Sequence, residues 1–197
     1  MSVICAVRKN GRVYMATNPT RKNFDMITLI NNEESYRIHK VGDGILVGAI
    51  GPLVLAENLY LHESFFKTKN GQELDREFLT TTVMTKYIQL LNDKELLEFD
   101  DDGFPVMQCE FIVASGERIF HIDTDFSVTE YEVPIAIGDK SEGRFCEIYL
   151  NEKTDANPDL EPEELIKEAF VECTKVMMGA GEDVAIIDTE SMKFRRI

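Results

Sequence analysis

The sequence predicts an α+β fold, a four-layer αββα sandwich of two antiparallel sheets, and three observations predict it. Strand-like runs come in two groups, each followed by a pair of helix-like runs, and no internal repeat is visible. An Asn-Gly turn joins the first two strand-like runs, which makes them antiparallel neighbours. At 197 residues the chain can bury one substantial core and is short for two. A single domain spanning 1–197 is therefore expected.

Alternation of apolar and polar residues around Asn10-Gly11 predicts strands over Val3 to Lys9 and Arg12 to Asn18. A second hairpin is predicted from Tyr36 to Val41 and Ile45 to Ile50, around Gly42-Asp43-Gly44. The period then changes. Leu53, Ala56, Leu59, Tyr60 and Ser64 share one face at helical spacing, as do Leu79, Val83, Tyr87, Leu90 and Leu91. An acidic loop from Glu98 to Gly103 leads to strands over Phe111 to Ala114 and Arg118 to Asp123, turning at Ser115-Gly116, and to a short strand over Val133 to Ile137. Helices follow over Ser141 to Leu150 and from Pro162, whose first turn carries Glu161, Glu163 and Glu164 at the positive end of the helix dipole. Gly179 and Gly181 end the latter helix. Asp183 to Asp188 reads as a buried strand, with Met192 to Ile197 as a final edge.

Composition narrows the function classes. Hydrophobic residues at 44% and charged residues at 29% suit a packed soluble domain, and no apolar run reaches the ~20 residues that span a bilayer. A formal charge of −15 repels phosphate backbones and anionic lipid, which argues against nucleic acid or membrane as partners. Cys5, Cys109, Cys146 and Cys173 are scattered, with neither disulfide-framework nor zinc spacing, so reduced and mostly buried thiols are expected. No secretory signal precedes the first strand, and a cytoplasmic location is the expectation.

The opening SVICAVRKNGRVYMATN resembles the first hairpin of HslV and of proteasome β subunits, where a threonine begins the mature chain. The spacing matches without a gap when Ser2 stands in for that threonine. YRIHKVGDGILVGAIGPLVLAENL resembles the next hairpin and the start of the first helix of that family; VPIAIGDKSEG and LEPEELIKEAF with GEDVAIID resemble its later helices and final strands. The likeness covers nearly the whole chain in order, through motifs that are individually weak.

The resemblance implies an N-terminal-nucleophile hydrolase acting on peptide or protein substrates, without a cofactor. Such chemistry needs a hydroxyl on the first residue and a base within reach, and a free α-amine, with pKa of about 7.7 to 8.0, serves as that base. Ser2 supplies the hydroxyl once Met1 is removed. The family's acidic residue near position 18 is here Asn18, and its lysine near position 37 is Arg37. Arg37 keeps a positive charge and can act on a developing oxyanion, but its planar fork differs from a lysine's point charge. Gly48 matches the glycine whose amide donates to the tetrahedral intermediate. A supporting serine of the family becomes Asp139, and an Asp and a Ser before its last strands fall at Lys175 and Met178. These departures leave two readings, an active hydrolase and a structural or binding homologue with a degenerate site. Either implies assembly into a homo-oligomer, on the family's pattern a ring, on which an ATP-dependent unfoldase could dock.

Other constellations point elsewhere less strongly. His121 and Asp123, two apart on a strand, face one side and form a candidate ligand pair, although a surface hydrogen bond is the plainer reading. Glu98, Asp100, Asp102 and Gly103 imitate the start of a calcium loop, but Cys109 stands where a bidentate Glu is required.

Overall fold

The computed structural model of the chain describes residues 3–18, 20–23, 26–29, 33, 36–68, 74–138, 141–176 and 183–197. The strands are β1 (Val3–Lys9), β2 (Arg12–Thr17), β3 (Thr20–Asn23), β4 (Met26–Leu29), β5 (Ile38–Lys40), β6 (Ile45–Ile50), β7 (Glu98–Phe99), β8 (Pro105–Val106), β9 (Glu110–Ser115), β10 (Arg118–Ile122), β11 (Val128–Tyr131), β12 (Ile135–Gly138), β13 (Ala185–Asp188) and β14 (Arg195–Arg196). The helices are α1 (Leu53–Tyr60); α2, which runs through Arg76–Phe78, a wider π-helical stretch Leu79–Met84 and Thr85–Asp93; α3 (Glu142–Ala156); and α4 (Pro162–Val176).

Two five-stranded antiparallel sheets carry the fold. Sheet one has the order β12-β1-β2-β13-β14 and sheet two the order β11-β10-β9-β6-β5. Asn10 and Gly11 both take positive φ, as a tight primed turn requires, and β1 pairs β2 from Ile4 opposite Thr17 to Lys9 opposite Arg12. The second hairpin is shorter than its sequence suggests: Val41 closes the turn through its amide to the Ile45 carbonyl at 2.9 Å, and Tyr36 and Arg37 lie outside the ladder.

Three other differences have local causes. Pro134 cannot donate to a ladder, so the strand expected over Val133 to Ile137 becomes β12, with β11 as a separate strand before it. Helix α3 runs about two turns past Leu150 and stops at Asn157, which precedes Pro158 and has left the helical region at φ −137°, ψ 73°. The acidic loop at Glu98 to Gly103 is the tip of the β7-β8 ribbon, where the Asp100 carboxylate accepts the amides of Asp102 and Phe104 at 3.0 and 2.8 Å. The glycines predicted to end α4, Gly179 and Gly181, lie outside the described residues.

Strand alternation divides the core. Ile4, Ala6, Val13 and Met15 of sheet one meet Ile38, Leu46, Ile112 and Ile119 of sheet two. On its other face sheet two packs Val47, Phe111 and Phe120 against Leu59 of α1 and Tyr87 and Leu91 of α2. Sheet one likewise packs Val3, Cys5 and Ile186 against Cys146 of α3 and Ile166 and Phe170 of α4. Each fully buried Ile, Leu or Phe contributes roughly 1.5–3 kcal/mol. The buried Tyr87 keeps its hydroxyl satisfied by donating to the Leu55 carbonyl at 2.8 Å, which ties α2 to α1. All four cysteines are free and buried.

Two glycines set how closely elements approach. A Cβ at Gly143, in the first turn of α3, would lie 2.5 Å from the Gly138 amide nitrogen and 2.6 Å from the Ile137 carbonyl carbon. A Cβ at Gly48 would lie 2.9 Å from Ile4 Cγ2 and 2.9 Å from Met15 Cε. Backbone cannot yield as a side-chain methyl can. Gly143→Ala is therefore expected to cost about 3 kcal/mol or more and Gly48→Ala about 1 kcal/mol, read as separate midpoints in urea unfolding.

His39 of β5 stacks on Tyr60 of α1, with ring centroids 3.6 Å apart. Burial lowers its pKa from 6.5 to about 4, and a backbone hydrogen bond at Tyr36 only partly opposes this. Between those values the unfolded imidazole takes up a proton that the folded one refuses, so stability falls as pH drops from 6.5 toward 4. His39→Gln is expected to flatten that slope in denaturation curves collected across the same range.

Candidate active site

Register places one end of each sheet at a common mouth. The hairpin end of sheet one lies by the turns of sheet two, since Thr189, whose amide donates to Val13, also donates its hydroxyl to the Gly116 carbonyl at 2.5 Å. The opposite ends of the strands therefore face each other. There sheet one presents a row from Ile4 through its partner Thr17 to Ala185 and Arg196. Sheet two presents Glu110 opposite Ile50.

At this mouth β1 is fastened by Asn18. Its side-chain Oδ1 accepts the Val3 amide at 2.9 Å, and the residue is only 3% exposed. The bond crosses from the end of β2 to the start of β1 and fixes the peptide that follows Ser2. An amide side chain suffices for this. Ser2 and Asp139 lie outside the described residues, as does Met178. Gly138, which precedes Asp139, is the partner of Val3.

Gly48, matched to the family's amide donor, sits on β6 two residues before Ile50. It has a strand on either side, Ile38 on β5 and Ile112 on β9. Its backbone is thus engaged in the sheet, and what it offers the space between the sheets is its missing side chain, filled by Ile4 and Met15.

Arg37 has the strand parity of the helix side of sheet two, one residue from Ile38 of the inner core. Its carbonyl accepts the Ala49 amide at 3.0 Å, and its charge acts on Cys109, which packs with the helix-side core of sheet two. Burial pushes the Cys109 thiol up to about 12 and Arg37 pulls against that rise. Tyr36, one residue earlier, takes the opposite face. It is buried, packs edge-on against Phe194 with centroids 5.0 Å apart, and its hydroxyl oxygen accepts from Arg196 Nη2 at 3.2 Å. Alternation along β5 carried this distinction, since Ile38 is the apolar residue of that parity.

The remaining candidates are dispersed. Lys175 is exposed on α4 and pairs with Glu172 at 2.5 Å. His121 and Asp123 are not joined: His121 Nε2 lies 3.2 Å from Glu110 Oε2, and Asp123 accepts the Thr124 amide at 2.6 Å. Among the described residues no group of three potential ligands is arranged to hold a metal ion, and no helix is long and apolar enough to cross a membrane.

Two antiparallel five-stranded sheets with this order of strands and helices define a proteasome-like fold, and solved structures share it. The chain resembles BPH of Thiobacillus denitrificans, at a TM-score of 0.73 and 19% identity over 95% of this chain and 97% of that one. The same protein in complex with epoxomicin matches at a TM-score of 0.73 and 18% identity, over 95% and 97% of the two chains. HslV from Trypanosoma brucei matches at a TM-score of 0.60 and 18% identity, over 94% and 98%. No protein-family model and no curated protein sequence matches the chain.

The Asn18 bond gives a direct test. Asn18→Ala strands the buried Val3 amide and is expected to cost about 1–3 kcal/mol in urea unfolding. Asn18→Asp retains an acceptor and should keep most of that stability at neutral pH.

Proposed function

We propose that the chain is a proteasome- and HslV-like peptidase or amidohydrolase whose nucleophile is Ser2 after removal of Met1. The fastening of β1 by Asn18 carries this reading. A nucleophile at the head of a strand acts only if that head is immobile, and the buried 2.9 Å bond holds the adjacent amide in place. The freed α-amine of Ser2 takes the hydroxyl proton and returns it to the leaving amine. Asn18 is a positioning residue in this scheme. Asp139 stands where the family has a supporting serine, and we assign it that supporting role. Gly48 lets β1 lie close over β6. Arg37 has no part in the proton transfer.

The reading includes the fuller architecture: one domain over 1–197, four layers in the order αββα, and a homo-oligomeric ring taking peptide or protein substrates, with an ATP-dependent unfoldase as a further partner and the cytoplasm as its location. Support comes from likeness to HslV and to a protein solved with epoxomicin bound. A second reading, a structural or binding homologue without turnover, draws on the family's lysine being replaced by Arg37 and on the pairing of Lys175 with Glu172 at the surface.

Intact mass decides first, because a retained Met1 leaves no free amine on Ser2. For natively expressed protein the expected mass lacks the initiator methionine. Incubation with an epoxyketone is then expected to add one inhibitor mass at Ser2 and none to Ser2→Ala. Retained Met1, or equal labelling of both proteins, supports the non-catalytic reading.

A further inference from the structure

A separate opening lies where the edge strand β5 meets the end of α1. His39 of β5 is opposite Val47, back along β6 from Ile50 at the mouth. Helix α1 starts just past Ile50, and its eight residues carry Tyr60 about 12 Å, back to His39. Beside this pair stands a cavity of about 650 Å³. Its wall is aromatic, made by His39 stacked on Tyr60 with centroids 3.6 Å apart and by Phe194 from the segment before β14. Glu33, Glu57 and Glu63 line it too, against one lysine, Lys40. Glu57 accepts the Tyr60 hydroxyl. Among the described residues none of the three glutamates takes part in an ion pair.

Two further observations fix the sign of the charge that suits the cavity. The last turn of α1 lies at the opening, carries the partial negative charge of a helix C-terminus and has no basic residue of its own. Lys94, just past α2, reaches that turn only through the Asn58 side chain. Phe194 already receives an alkylammonium: Lys40 Nζ stands 5.5 Å from its ring centroid, within cation–π reach.

From this geometry we infer that the cavity between β5 and α1 is a binding site for an organic cation, an ammonium or guanidinium group on an apolar stem. The glutamates answer its charge, while the rings and the exposed Leu61 offer apolar surface that a hydrated metal ion cannot use. His39 and Tyr60 add no charge at neutral pH, since burial lowers the imidazole to about 4 and raises the phenol to about 12. A free amine and a basic side chain of a peptide share this chemistry. The site is separate from the Ser2 chemistry and does not depend on the peptidase reading.

Agmatine, which carries both cationic groups on one short alkyl stem, is the probe. Titration of the full chain at neutral pH and low salt, followed through the imidazole signals by NMR, reads the site directly, because His39 alone of the three histidines lines the cavity. The His39 signals are expected to move saturably and those of His121 to stay. Glutarate, and calcium chloride at equal ionic strength, should leave His39 in place. Glu57→Gln and Glu63→Gln are each expected to weaken binding about two- to fivefold, as screened surface pairs do, and the double variant more than either. Lys40→Met should strengthen binding by a similar factor, and thermal midpoints show that each variant is folded. If the double variant does not fold, the single variants and Lys40→Met decide by the same titration. A capped peptide with one arginine between glycines identifies the source: affinity equal to that of agmatine supports a basic protein segment as the ligand, and binding of agmatine alone supports a free amine. No saturable movement of His39 with agmatine, an equal response to calcium, or affinity unchanged by the substitutions overturns the inference and leaves the peptidase reading intact.

Discussion

The close approach of the two sheets at Gly48 is the constraint on which the rest depends. Ile4 and Met15 occupy the space a side chain at that position would need. Their contact sets the height of β1 above β6, and through β1 the height of everything hydrogen-bonded to it. A larger residue there would lift the strand that begins just after Ser2. Packing density in such interiors leaves little slack, so a displacement at the centre is transmitted to the edges.

From that contact outward, each face of each sheet has a single employment. The facing surfaces are mostly aliphatic, while the outer surfaces take the helices. Three polar side chains that enter these regions have partners: Asn18 with the Val3 amide, Tyr87 with the Leu55 carbonyl, Tyr36 with Arg196. Asp188 belongs to the same pattern. Burial works to raise its pKa, yet bonds from Ser191 and the Glu190 amide, with Arg12 nearby, hold its carboxyl below the usual range. The two arginines of β14 are divided by the same alternation, Arg195 toward Glu163 on the helix side and Arg196 toward Tyr36.

Fold and site differ in how far they were legible. The Asn10-Gly11 turn, the alternation in β1 and β2, and the helical stripes of α1 and α2 all state their structures locally. The β3-β4 and β7-β8 ribbons were missed because their runs, of four and two residues, are too short to show a period. Wider π-helical turns in Leu79–Met84 leave the apolar stripe intact, so they too were invisible. At the site, Asn18 and Gly48 stand out by position in the sequence, while the bond that Asn18 Oδ1 accepts from the Val3 amide and the filling of the gap at Gly48 by Ile4 and Met15 come only from the structure.

By itself the sequence determined the element order, the antiparallel pairing and which residues are apolar on which parity, because periodicity and turn chemistry act between near neighbours. Only the tertiary structure decided that Tyr36 rather than Arg37 faces the inner side, and that Arg196, 160 positions away from Tyr36, meets it there. Such a pairing depends on how two edge strands lie across a shared core. No local rule fixes it, since it follows from register and close packing summed over both sheets.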